Sequence, residues 1–118
     1  MATFSKVKLS GSTSGRGIKV AATATAGTAI HTAVAGASDI DEIWIYAVNT
    51  SGADVNLTLE WGGVTNPDDT IGPVTIKANA GLVLVAPGLI LNGGLGLAAF
   101  ASVANVIAVH GYVNRITA

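Results

Sequence analysis

Residues 53–61 read Ala-Asp-Val-Asn-Leu-Thr-Leu-Glu-Trp, and this stretch decides the fold class. Val55, Leu57, Leu59 and Trp61 alternate with Asp54, Asn56, Thr58 and Glu60. Successive side chains of a strand point to opposite faces, so a period of two predicts a strand with one face in a core and the other in water. Just upstream, Glu42–Val48 reads Glu-Ile-Trp-Ile-Tyr-Ala-Val. It is aromatic, β-branched and apolar on both faces, again the composition of a strand. Asn49-Thr50-Ser51-Gly52 between them is a turn sequence, because such residues tolerate unusual backbone angles or hydrogen-bond their own backbone. The two segments are expected to pair as a hairpin.

The pattern repeats outward from this pair. Phe4–Leu9, Gly17–Thr25 and Thr28–Val34 precede it, with Ser10–Gly15 and Ala35–Ser38 as loops. Gly62-Gly63 and Asn66–Asp69 form a polar connection to Pro73–Lys77. Gly81–Val85 and Leu89–Leu91 follow, separated by a break at Pro87-Gly88, and then come Leu95–Ala101 and Val106–Ile116. Neither Leu97–Ala101 nor Ala21–Ala29 offers a capped apolar stripe of helical period. About eight to ten short strands separated by glycine, proline and asparagine predict an all-β sandwich or small barrel. A chain of 118 residues fits a single domain over residues 1–118, with 1–16 offering an N-terminal arm.

Composition limits the function. Half the residues are hydrophobic but only 11% are charged, against about 25% in an ordinary soluble domain. So little charge leaves much weakly polar surface, which suits a subunit packed in an assembly. The charges are also segregated. Lys6, Lys8, Arg16 and Lys19 give residues 1–38 a charge of +4. Asp39, Asp41, Glu42, Asp54, Glu60, Asp68 and Asp69 give residues 39–69 a charge of −7, and only Lys77 and Arg115 follow. Either these regions dock unlike surfaces together, or they neutralise each other within one subunit. No cofactor is expected. The start lacks the apolar segment of a secretory signal, and glycines and Pro87 interrupt the uncharged stretch Ala80–Ala101, so no membrane span is expected.

The reactive inventory is thin, and no enzyme is expected. There is no cysteine, which removes thiolate nucleophiles, thiolate zinc sites and disulfides. His31 and His110 have no metal-ligand partner at suitable spacing, and a lone imidazole on a strand is expected to rest half-buried with a hydrogen bond. Asp39, Asp41 and Glu42, and separately Asp68-Asp69, read as solvated loops; a calcium loop at 66–69 lacks the ordered ligand spacing. Gly11–Gly17 lacks the Gly-Lys-Ser/Thr ending of a phosphate loop. The sparse basic residues, with only Phe4 nearby, fall short of a nucleic-acid surface. Trp44 and Trp61 read as core-directed or hairpin-facing side chains.

Four segments carry a family likeness: Asp41–Asn49, Leu57–Gly63, Gly81–Gly93 and Val109–Arg115. Together they resemble small virion structural proteins of tailed bacteriophages, of the capsid decoration (cement) type. The likeness spans roughly residues 39–117. It implies a jelly-roll-like antiparallel β-sandwich that forms trimers or other symmetric oligomers and clamps the major capsid protein of the head shell in the virion. A tail, baseplate or head-fibre component, or a carbohydrate- or receptor-binding sandwich, are the alternatives; exposed Trp44, Tyr46 or Trp61 beside polar groups would favour the last. The basic start, Lys6, Lys8, Arg16 and Lys19, is the expected partner interface.

Overall fold

The computed structural model describes residues 2–118. Among these described residues nine strands run in the order β1 Thr3–Lys8, β2 Ile18–Lys19, β3 Thr28–Thr32, β4 Ile40–Asn49, β5 Val55–Trp61, β6 Thr70–Ile76, β7 Val83–Leu91, β8 Gly96–Ala101 and β9 Ile107–Thr117. A five-stranded antiparallel sheet has the order β1-β9-β4-β7, with β2 also paired to β9, and a four-stranded antiparallel sheet has the order β3-β8-β5-β6. The pairs β2·β9, β3·β8, β4·β7 and β5·β6 are nested: each lies inside the one before. This is one long hairpin with its tip at the β5–β6 connection, wrapped so that alternate rungs fall in opposite sheets. Lateral pairing of β4 with β9 and of β5 with β8 closes the wrap. The result is the jelly-roll sandwich.

The strong pair at the centre does not form a hairpin. β4 lies in the five-stranded sheet and β5 in the four-stranded sheet, so residues 50–54 cross between layers. The reason lies in burial. Ile43, Ile45 and Ala47 on β4, and Val55, Leu57 and Leu59 on β5, are all buried. Facing sheets let these two rows pack on each other, each aliphatic side chain contributing about 1.5–3 kcal/mol. A single sheet would put both rows on the same side with nothing opposite. Asn49 fixes the corner: its Nδ2 donates to Ala53 O at 2.7 Å and Ile76 O at 2.9 Å, and its Oδ1 accepts from Ser51 N at 2.9 Å.

Three further departures have local causes. Glu60 does not face water; it is buried on the outer side of β5 beneath residues 25–27, where Thr25 Oγ1 and Gly27 N each donate to it at 2.6 Å. Pro87-Gly88 does not break the chain into two strands but sits in a continuous β7 on the sheet edge, with register shifts that admit the irregularity. Of Gly17–Thr25 only Ile18–Lys19 is a strand. β1 and β2 share β9, facing Tyr112–Thr117 and Ala108–Val109, and act as one interrupted edge strand. The segment between them reaches the other sheet, where Gly11 N donates to Ile30 O at 2.9 Å.

Gly111 is the tightest backbone contact in the five-stranded sheet. A Cβ there would collide with the carbonyl oxygen of Trp44, a backbone atom that cannot rotate away. Gly111→Ala is expected to cost about 3 kcal/mol in chemical denaturation. Gly52→Ala, which meets nothing within 4 Å, is expected to change stability by less than about 0.5 kcal/mol.

Candidate interaction surface

Parity along β4 sends alternate residues to opposite faces and so separates the chain's polar chemistry into two groups. Asp41 shares its parity with Ile43 and Ile45 and therefore enters the core, where it has no exposed surface. A buried carboxylate needs donors, and four converge on this one. Arg115 on β9 lies directly opposite in the ladder and grips it with two bonds, Nε to Oδ1 at 2.8 Å and Nη2 to Oδ2 at 3.0 Å. Val34 N donates to Oδ2 at 3.0 Å. His31, from β3 of the opposite sheet, contacts the same oxygen through Nε2 at 2.8 Å. Because Ser10 N donates to His31 Nδ1 at 2.9 Å, that nitrogen offers its lone pair and the ring proton belongs on Nε2. Burial pushes the Asp41 carboxyl upward, but the bonds from Arg115, His31 and Val34 outweigh it and hold it below its ordinary 3.8. The same pairing raises Arg115.

The names Ser10, His31 and Asp41 invite comparison with a hydrolytic triad, but the wiring differs. The Ser10 hydroxyl accepts from Thr32 N at 2.6 Å and does not meet the imidazole, and both ring nitrogens are engaged. The cluster ties the two sheets together. It corrects two expectations: Asp41 is not a solvated loop residue, and His31 is fully buried.

The opposite parity builds the outer face of the five-stranded sheet in rows that cross three or four strands. Lys6, Asn114, Glu42 and Ile90 form one row, and Lys8, Tyr112, Trp44 and Pro87 the next. His110, Tyr46 and Leu84 form a third. Trp44 and Tyr112 stack, with ring centroids 6.1 Å apart and planes inclined by 10°. Lys6 Nζ lies 4.7 Å from the centroid of Tyr112. On the far side Gly88 lies against the indole, where an added Cβ would come within 3.0 Å of the ring. So Trp44 faces outward rather than into the core, and the two stacked rings are flanked by Lys6 and Gly88. The Trp44 N–H donates to Glu42 Oε1 at 2.9 Å, which Asn114 Nδ2 also reaches at 3.0 Å. Those two bonds hold the Glu42 carboxyl below its ordinary value of 4.5. Trp61, half-buried, donates to Ile90 O at 3.1 Å.

Apolar side chains dominate the margins of this face. Phe4 is 73% exposed, Ile90 57% and Leu84 47%, and Leu82 and Leu89 are also exposed at the β7 edge. Lys6, Lys8, Arg16 and Lys19 are all exposed, and none forms an ion pair among the described residues. The two charge blocks of the sequence therefore do not neutralise each other by direct pairing. His110 is half-buried on the outer face against Gly17, on the other side of the sheet from His31. Asp69 stays in its turn, accepting from Thr65 N at 3.2 Å. Among the described residues no group of three His, Asp or Glu side chains is placed to hold a metal, and no helix is long and apolar enough to cross a membrane.

No family model matches the chain, and neither a curated protein nor a solved structure does.

The Asp41 cluster has a pH signature. A carboxyl whose folded-state value is depressed stabilises the fold above its unfolded value, and that contribution is lost as pH falls through the folded value. Wild-type stability is expected to fall as pH drops below about 4. Asp41→Asn is expected to cost about 3 kcal/mol at neutral pH and to flatten the acid limb, as read by denaturant titration at a series of pH values.

Proposed function

We propose that this chain is a virion structural protein that decorates a bacteriophage capsid, packing against copies of itself and against shell subunits. One observation carries the reading: polar side chains are spent inside and apolar ones are left outside. His31, Asp41, Asn49, Thr58 and Glu60 are buried, and among the described residues no fully buried side-chain nitrogen or oxygen lacks a partner. Meanwhile eight large apolar side chains are exposed among the described residues, four of them on or beside the edge strand β7. A free monomer with such an edge is prone to association, whereas an assembly covers it.

The dimensions support this. Strands rise about 3.3 Å per residue and lie about 4.8 Å apart, so the outer face of the five-stranded sheet covers on the order of 600 Å². Two such faces in contact bury about 1,200 Å², the lower bound of a specific interface. The flanked rings of Trp44 and Tyr112, with the indole N–H groups of Trp44 and Trp61 both bonded internally, suit this face to protein contact over sugar stacking. The exposed, unpaired cations Lys6, Lys8, Arg16 and Lys19 would orient the subunit on an acidic partner.

Cryo-electron microscopy of the virions whose genome encodes this chain tests the reading. It is expected to place the jelly roll on the head exterior at symmetry-related positions; absence from purified virions, or a position on a tail fibre, contradicts it. Reversing Lys6, Lys8, Arg16 and Lys19 to Glu is expected to reduce attachment to stripped particles at low salt by tenfold or more, while undiminished attachment removes the basic start from the interface.

A further inference from the structure

The outer face of the four-stranded sheet is unlike that of its partner. Between β5, β6 and β8 it holds an open cleft of about 440 Å³, within the range of about 300–1,000 Å³ for small-molecule sites. Asn56 and Thr58 of β5, Asn66, Thr70 of β6, Phe100 of β8 and Ser102 line it. The β5·β6 register shifts at Gly72-Pro73, which also line the cleft. No lining residue carries a formal charge.

Several of these groups have hydrogen-bonding capacity to spare. Thr58 is buried, its hydroxyl makes no hydrogen bond among the described residues, that oxygen is not sealed off, and the residue lines the cleft. Asn56 Oδ1 accepts from Thr75 Oγ1 at 2.9 Å, which turns its Nδ2 outward as a free donor. Ser102 Oγ accepts from Asn56 N at 3.0 Å, leaving its own O–H to donate. Phe100 supplies an apolar ring with no aromatic neighbour. Glu60, two residues along β5 on the same face, does not line the cleft, and both its oxygens are held by Thr25 and Gly27.

We infer that this cleft is a binding site for a neutral saccharide. A sugar ring offers hydroxyls that both donate and accept, and a C–H face that packs on an aromatic ring; neutral amides and hydroxyls around one phenyl group match both. The absence of a cation in the lining disfavours an acidic sugar. The site lies on the sheet opposite the apolar face, so it does not depend on the virion reading.

The test is a heteronuclear NMR titration of the full chain with lactose, maltotriose, cellotriose and chitotriose, and with sialyllactose as the acidic probe. At least one neutral saccharide is expected to shift the amides of Asn56, Thr58 and Phe100 while those of Trp44 and Tyr112 stay fixed. Thr58→Val, close in shape and lacking only the hydroxyl, is expected to keep the spectrum of the fold and weaken binding roughly five- to tenfold. Phe100→Ser is expected to abolish it, and Trp44→Phe to leave it unchanged. No shift with any neutral probe, a preference for sialyllactose, or binding indifferent to Thr58→Val and Phe100→Ser in folded protein would each overturn the inference.

Discussion

A carboxylate with no exposed surface sits between the two sheets, and the rest of the molecule is arranged around satisfying it. Asp41 joins β4 to β9 through Arg115, to the other layer through His31, and to the β3–β4 connection through Val34. Removing a charge from water costs several kcal/mol, so such a group persists only when its donors are held in place. Those donors come from two strands and a loop, and lie as many as 74 positions from Asp41 in the sequence. The cluster therefore specifies how the wrapped hairpin registers on itself. It also consumes one of the chain's two histidines, one of its two arginines and a central acid, and so diverts much of a small reactive inventory into architecture.

Much of the fold was legible in the sequence. The period-two alternation of Val55–Trp61, the aromatic and β-branched content of Glu42–Val48 and the spacing of turn residues identify strands correctly, because side-chain direction in a strand is a local property. Pairing is not local. The turn-like sequence 49–52 serves equally for a hairpin within one sheet or a corner between two, and only the need to oppose two buried rows decides for the corner. Pro87-Gly88 misled for a related reason: on an edge strand a missing N–H and a bulge cost little, so a sequence that interrupts a central strand is accommodated in β7.

The buried polar network was partly legible. Asp41 shares its parity with three inward apolar residues of β4, and an acid in that position demands a partner, which Arg115 in the last strand supplies. What the linear order withholds is that His31 crosses from the other layer. Glu60 illustrates the opposite difficulty, since its outward parity was right and its burial arises from a loop folding over it. The outward placement of Trp44 follows from the same parity as Glu42 and Tyr46, once β4 is known to carry its core on the odd positions.

The two outer faces then divide what remains. One is a ladder of stacked rings and aliphatic side chains bordered by four unpaired cations; the other is a neutral cleft of hydroxyls and amides. An exterior so short of charge is the physical basis for regarding the chain as a unit of something larger. Sedimentation equilibrium of the purified protein in low and in high salt tests this most directly, because apolar contacts persist or strengthen with salt while ionic ones are screened. A discrete oligomer that survives high salt is the predicted result. A monomer at every concentration, or an oligomer that salt dissolves, would contradict the account.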